Sequence, residues 1–321
     1  MSHDYGIYYR CELNGPDDWQ ALPHWDFFVS SFNRSERIRT VYDRINATKK
    51  LWVIHREYNL DSDEHPPEES FYDGTEDESI FCKNLITKLV DSGGFDPAKN
   101  SLCIDITGIV RPHLMFLMKL LQTLGIRTLD AFYAEPLQYA SKENTSFSGG
   151  HMLGVRPVRG FEGSPITDGD DDFLIVGMGY DDRLLAAVAE NKEKADKHQL
   201  FGLPSLRADM YQESVLRSRR AADEIGDPNF AEQNRSFAPA NDPFGTASVL
   251  SELVSRRLST GASGNVILTP LGTKAQVLGF TLFFIHECNG LPASIIFPFS
   301  SEYAPETSTG LARAWHYQIE F

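Results

Sequence analysis

Two short segments of the chain carry the residue types that proteins use to bind small anions. One reads Gly-Met-Gly-Tyr-Asp-Asp-Arg from Gly177 to Arg183, and the other reads Thr-Pro-Leu-Gly-Thr-Lys-Ala-Gln from Thr269 to Gln276. Glycine lets a backbone approach a ligand closely or adopt a positive φ. Hydroxyl, ammonium and guanidinium groups donate to phosphate or carboxylate oxygens, and a helix N-terminus adds unused N–H groups. The chemistry indicated is recognition of a nucleotide or another small anion.

The candidate ligand-binding residues share one position, at or just after the end of an apolar strand. They are Gly177, Gly179, Tyr180, Asp181, Arg183, Thr269, Gly272, Thr273, Lys274 and Gln276. Neither segment is a complete nucleotide fingerprint, because the first lacks the third glycine of the dinucleotide motif and the second lacks the upstream glycine of a P-loop. The alternative interpretation of the first segment is a tight strand–helix turn in which Arg183 pairs with Asp181 or Asp182 at the surface.

Matching polar segments occur in the first half of the chain, at residues 31–37 and 107–113. They supply the candidates for a second site, which are Asn33, Arg34, Arg37, Thr107, Gly108, Arg111 and His113. Compared with the segments in the second half of the chain, they have similar polar and basic groups but two glycines fewer. We therefore expect a weaker site or a purely structural role for them.

Groups suited to acid–base or metal chemistry are sparse. Asp181, Asp182 and His113 could act as acids or bases. Asp105 lies in an apolar strand, where a carboxylate is expected to cap a neighbouring turn. The three aspartates at 170–172 are typical of a solvated linker, so neither a metal site nor a cofactor is predicted. The scarcity of such groups favours a protein that is not an enzyme, and an enzymatic role is kept as an alternative.

Apolar strands alternate with helices along the chain. Strands that are apolar throughout indicate parallel sheets covered by helices on both faces. We therefore predict an α/β protein made of two tandem Rossmann- or flavodoxin-like units with mostly parallel sheets. The first predicted unit spans 1–150 and has an irregular lead-in. The second spans 151–321 and carries a helical insertion at about 203–243.

The two halves of the chain resemble each other, which predicts an internal duplication. Residues 26–37 resemble 172–183, and a later gap-free register pairs Gly108 with Gly272. In a sheet of strand order 2-1-3-4 the first and third strands are neighbours, and ligands bind beyond their carboxyl ends. We therefore predict that Gly179 and Gly272 meet at one crevice.

Composition limits the partners of the protein. A formal net charge of −15 argues against broad nucleic-acid binding, which needs a basic face. The four cysteines show no metal-ligand spacing, and the first residues lack a basic-then-apolar signal sequence, so a reduced, cytoplasmic protein is expected. The longest apolar stretch, 277–285, is too short to span a membrane and predicts a core helix.

The strand–turn–helix pattern from Ile267 to Gln276, with Gly-Thr-Lys opening the helix, resembles the second ligand loop of CARF-like Rossmannoid sensors of prokaryotic defence systems. The segment from Gly177 to Arg183 occupies the position of that family's other loop. The resemblance implies recognition of a nucleotide or cyclic oligonucleotide across a two-fold axis between Rossmann-like units, and a role in antiviral defence. Because both units lie in one chain, it also implies an intrachain pseudo-dimer.

The leading hypothesis is a non-catalytic regulatory protein that senses a nucleotide or another small anion. It would signal to a protein partner or effector, and homo-oligomerisation stays open. One alternative is an enzyme that hydrolyses or transfers groups on a nucleotide or phosphorylated metabolite. The other is a structural subunit of a larger complex, with the acidic segment 61–78 and the segment 203–243 as partner surfaces.

Overall fold

The chain forms two compact units. The computed structural model describes residues 3–139, 148–164, 166, 171–225, 234–304 and 308–321. Unit I comprises residues 8–150 and 302–321, and unit II comprises residues 1–7 and 151–301. The chain thus passes from unit II to unit I after residue 7, to unit II after residue 150 and back to unit I at residue 302.

Unit I is built on a seven-stranded sheet. Its strands are β1 (Arg10–Leu13), β2 (Trp25–Ser31), β3 (Ala47–His55), β4 (Ser70–Asp73), β5 (Leu102–Asp105), β6 (Thr128–Tyr139) and β13 (Ser308–Glu320), and its helices are α1 (Pro16–Gln20), α2 (Glu36–Arg44), α3 (Glu78–Asp91) and α4 (Arg111–Thr123). The strand order is β1-β13-β6-β5-β2-β3-β4. Strands β2 to β6 run parallel, whereas β13 is antiparallel to both of its neighbours.

Unit II is built on a six-stranded sheet. Its strands are β7 (Ser148–Pro157), β8 (Phe173–Gly177), β9 (Asp196–Gly202), β10 (Arg235–Ala238), β11 (Val266–Pro270) and β12 (Ala293–Tyr303), and its helices are α5 (Asp182–Asn191), α6 (Met210–Ile225), α7 (Pro243–Ser259) and α8 (Lys274–Glu287). The strand order is β10-β9-β8-β11-β12-β7. Strands β8 to β12 run parallel.

The five parallel strands of each unit follow the same order. Numbered within a unit, they lie as third, second, first, fourth and fifth, which is the doubly wound Rossmann arrangement. The predicted α/β class with two mostly parallel, Rossmann-like sheets is therefore confirmed. In both units the winding direction reverses beside the first strand, at β2 and β5 in unit I and at β8 and β11 in unit II. The expected order 2-1-3-4 is wrong because it lacks one strand in each unit, β4 and β10, so the first strand is adjacent to the fourth strand of its unit and not to the third.

Three predicted assignments are wrong. Residues 3–7 belong to unit II and not to the first predicted unit. Segment 203–243 is not an insertion, because its helix α6 leads into β10, which pairs in parallel with β9 and supplies the third strand of the sheet. Segment 302–321 does not belong to the second unit, because β13 pairs along β6 from Glu320 back to Ser308. An antiparallel strand can join any sheet whose edge accepts it, so chain order does not determine its partner.

The spacing of apolar residues in the sequence predicts the buried faces of the helices that begin at the carboxyl edge of each sheet. In α2, Ile38, Val41 and Tyr42 recur at three- and four-residue spacing and are its buried residues. In contrast, α8 is buried on all sides from Ala275 to Ile285, as the apolar stretch 277–285 predicts. Within the described ranges, the helices are too short or too polar to cross a membrane.

Candidate functional site

In unit II the two predicted ligand segments lie side by side. Strands β8 and β11 pair in parallel, with Val176 opposite Thr269 and Gly177 opposite Pro270. Just beyond, the Leu271 N–H donates to the Gly177 carbonyl at 3.0 Å. The segments after the two strands therefore meet at the edge where the winding reverses, as the sequence predicts.

The glycines of these segments make room for protein atoms. A Cβ added to Gly179 would overlap the Leu271 carbonyl oxygen, and one added to Gly272 would overlap Gln276 Oε1. A Cβ on Gly177 would lie 3.0 Å from the Phe280 ring. All three glycines are buried, and none has a positive φ. Their structural role is thus the close packing of one turn on the other.

The first segment ends in a capped helix. The Asp181 carboxylate accepts a hydrogen bond from the Leu184 N–H at 3.3 Å and lies 3.8 Å from Arg183 Nε. Asp182 lies 3.3 Å from Arg217 on α6. The Tyr180 hydroxyl donates to the Met210 carbonyl at 3.3 Å. The pairing of Arg183 with Asp181, left open by the sequence, is therefore found, with the Arg183 side chain exposed and the Asp181 side chain buried.

The second segment also ends in a capped helix. The Gln276 N–H donates to the Thr273 hydroxyl oxygen at 3.2 Å, and the Thr273 N–H donates to Gln276 Oε1 at 3.3 Å. The Thr273 hydroxyl in turn donates to the Ala240 carbonyl. Lys274, half-buried, is the first residue of α8. The turn between β10 and α7 is thereby held against the start of α8.

Two buried donors at this edge have no hydrogen-bond partner among the described residues. They are the hydroxyl of Thr269 and the amide nitrogen of Gln276, whose residues are 0% and 1% exposed. The amide nitrogen faces the end of β9, since a Cβ on Gly202 would lie 3.6 Å from it. Buried polar groups are normally paired, and an unpaired one is unfavourable by about 1–3 kcal/mol. Because packed turns normally leave no buried donor without an acceptor, these two groups mark this edge as a candidate ligand site.

The equivalent edge of unit I is organised around Asp105. Its carboxylate accepts from the Ser30 hydroxyl and from the Thr107 N–H, both at 2.9 Å. The Thr107 hydroxyl accepts from the Ala134 N–H at 2.9 Å. Gly108 packs so closely that a Cβ there would lie 2.5 Å from the Ser31 carbonyl oxygen. The predicted role of Asp105, capping a neighbouring turn, is confirmed.

Asp105 makes a testable contribution to the pH dependence of stability. Burial raises the pKa of this carboxyl above its usual value, despite the hydrogen bonds from Thr107 and Ser30. The protonated form is then favoured in the folded state, so its contribution is lost as pH rises through the folded pKa. Between about pH 4 and pH 7, Asp105→Asn is expected to gain stability relative to the wild type. Urea unfolding of both proteins across this range measures the difference, and a constant difference would contradict the assignment.

The remaining second-site candidates divide between the edge and the surface. One Arg37 guanidinium nitrogen donates to the Ala134 carbonyl at 2.7 Å, and Asn33 Oδ1 accepts from the Ser35 N–H at 2.9 Å. Within the described part of the chain, the buried Arg37 Nε and the hydroxyls of Ser31 and Ser35 lack hydrogen-bond partners. Arg34 instead forms a surface ion pair with Glu64.

Arg111 and His113 open helix α4, and His113 meets two residues that sequence reasoning missed. His55 ends β3, and Glu57 lies in the 3-10 helix Arg56–Tyr58 that follows. One ligand atom from each of His55, Glu57 and His113 lies within 4.8 Å of the others. The spacing His-x-Glu at 55–57 was the available signal, but nothing in the sequence joins it to His113.

Two of the three consecutive aspartates at 170–172 lie among the described residues, and both contact other parts of the fold. Asp171 pairs with Arg257 at 2.6 Å, and Asp172 accepts from both the backbone and the side chain of Asn265. Asp170 lies outside the described residues. The two described members of the run are therefore engaged as structural acceptors, and the expectation of a solvated linker is wrong for Asp172, which is buried.

Comparison with known proteins adds little about activity. Neither a protein-family model nor a curated protein matches the chain. Among solved structures, a CobK precorrin-6A reductase is similar at 9% sequence identity over 84% of this chain and 86% of that chain, with a TM-score of 0.23. So low a TM-score carries no argument about ligand or reaction.

Proposed function

We propose that the protein is a regulatory protein that binds a nucleotide or another small anion at the carboxyl edge of unit II. The observation that carries the proposal is the pair of buried, unused donors on Thr269 and Gln276. They lie where the winding of the sheet reverses, which is the usual ligand position in doubly wound folds. Lys274, at the start of α8, adds positive charge beside a helix N-terminus.

A sensing role without catalysis agrees with how the nearby acids are used. Asp181 caps α5, and Asp182 pairs with Arg217, so neither carboxylate is held ready as a base. The similarity of residues 26–37 to 172–183 adds the proposal of an internal duplication, and the cysteine pattern adds that of a cytoplasmic location. The resemblance of the Gly-Thr-Lys segment to CARF-like sensors adds the further proposals of an intrachain pseudo-dimer, a partner or effector protein and a role in antiviral defence.

The substitution Gln276→Glu tests the ligand site with almost no change of shape. The glutamate keeps the oxygen that accepts from the Thr273 N–H, but it replaces the donor amide by a carboxylate oxygen. Losing one hydrogen bond to a charged ligand and adding a like charge should weaken binding by about 10- to 100-fold. Calorimetric titration with mononucleotides, cyclic oligonucleotides and inorganic phosphate measures the affinity.

Gln212→Glu, at an exposed position on α6, is the matched control and should bind as the wild type does. The proposal fails if no ligand in the panel binds the wild type, or if Gln276→Glu binds equally well. Mass spectrometry of the ligand after incubation separates sensing from catalysis, because a sensor returns the ligand intact.

A further inference from the structure

Three side chains suited to metal binding converge in unit I. His55 ends β3, Glu57 follows in the next 3-10 turn, and His113 lies in the first turn of α4. His113 Nε2 is 3.9 Å from Glu57 Oε1, and the rings of His55 and His113 have centroids 4.8 Å apart. The three residues come from separate elements that begin or end at the carboxyl edge of the same sheet.

The cluster is buried, so an unpaired charge on one of its side chains would be strongly unfavourable. His55, Glu57 and His113 are 1%, 8% and 3% exposed. Glu57 Oε2 is buried without a hydrogen-bond partner among the described residues. A buried carboxylate is unfavourable unless it is paired or coordinates a metal, so a cation would be stabilised here.

The donor set is one that binds transition metals. Two imidazoles and one carboxylate are the protein ligands of several catalytic zinc sites, which keep a fourth position open. Ligand atoms around a tetrahedral zinc ion lie about 3.4 Å apart, given metal–ligand distances of about 2.1 Å. The ligand atoms of the three residues lie within 4.8 Å of one another, so binding requires the side chains to move closer together around the ion. Phe81 holds the His55 ring by stacking at 4.9 Å.

We propose that His55, Glu57 and His113 bind one divalent transition-metal ion of the zinc class in unit I. The proposal goes beyond the anion site of unit II and does not depend on it. This set of ligands does not favour magnesium or calcium, because these ions prefer oxygen ligands and two of the three groups are imidazoles. A metal here would lie at the carboxyl edge of the sheet of unit I, where β3 ends and α4 begins.

The test is zinc loading of the full chain. The protein is stripped of metal with a chelator, reloaded with Zn²⁺ and desalted. We expect it to retain one zinc ion per chain, measured by inductively coupled plasma mass spectrometry. Loss of an outer-shell partner alone commonly lowers metal affinity 10- to 100-fold, so His55→Gln, Glu57→Gln and His113→Gln should each lower it by at least about 100-fold. His24→Gln, at an exposed histidine, should bind zinc as the wild type does.

Circular dichroism of each variant in chelator shows whether it folds. If the variants fail to fold, zinc-edge X-ray absorption of the loaded wild type decides, with two imidazoles in the first coordination shell as the expected result. Folded wild type that retains no zinc would show that the two histidines belong only to the aromatic packing around Phe81, and would overturn the proposal. Zinc retention unchanged in all three variants, or a zinc shell without imidazole, would overturn it as well. A negative zinc result leaves the nucleotide titrations of Gln276→Glu unaffected, so the two proposals fail separately.

Discussion

Gly179→Ala is expected to destabilise unit II by about 3 kcal/mol, the upper end of the usual effect of overpacking. The added methyl group would overlap the Leu271 carbonyl oxygen, which belongs to the backbone of the neighbouring turn. Leu271 is itself tied to β8 through its hydrogen bond to Gly177, so the turn cannot move away without breaking sheet contacts. Urea unfolding followed by circular dichroism measures the change.

Gly74→Ala is the matched control, because among the described residues a Cβ there would meet only the Tyr72 hydroxyl, at 3.8 Å, and the residue has no positive φ. Its stability should stay within about 0.5 kcal/mol of the wild type. If Gly179→Ala were as stable as the control and lost only ligand binding, the glycine would serve the ligand and not the packing of the turns. That outcome would contradict our account of this edge.

Glu135→Ala is expected to destabilise unit I by about 2–3 kcal/mol. Glu135 is 1% exposed, accepts from Arg313 at 2.9 and 2.7 Å and accepts from the Trp315 indole N–H at 2.6 Å. Removing one partner of a buried ion pair typically costs about 3–5 kcal/mol, and the lower figure here allows for the partly exposed Arg313. Chemical unfolding of the variant and the wild type gives the value.

Glu252→Ala provides the comparison, since Glu252 pairs with Arg256 and both side chains are more than two-thirds exposed. An exposed pair of this kind contributes at most about 1 kcal/mol. Equal losses in Glu135→Ala and Glu252→Ala would show that Glu135 does not anchor β13 to β6. Glu135→Gln, which can still accept from Trp315, should fall between the two.

Much of the architecture follows from local pattern and chain order. Apolar strands alternating with helices were sufficient for two Rossmann-like sheets, because parallel strands need helical crossovers of constant hand. The same reasoning placed Gly177 and Thr269 at neighbouring strand ends. It also assigned Asp105 to a turn cap, since a carboxylate inside an apolar strand needs nearby donors.

Contacts between distant segments escaped that reasoning. The sequence pattern predicts the wrong unit for the segment that ends in β13. It also predicts an insertion where α6 and β10 form a crossover and a strand of the sheet. The glycines were interpreted as openings for a ligand, whereas Gly179 accommodates a backbone oxygen from residue 271. Each error concerns the identity of a partner, which a one-dimensional pattern does not contain.

By itself, the sequence determined the class of the fold and the edge at which polar groups gather. Only the tertiary structure decided which polar groups at that edge are satisfied and which remain buried donors, as at Thr269 and Gln276. It alone brought His113 to His55 and Glu57. Periodicity reports which face of an element is buried, but hydrogen bonding and coordination depend on distances between atoms far apart in the chain.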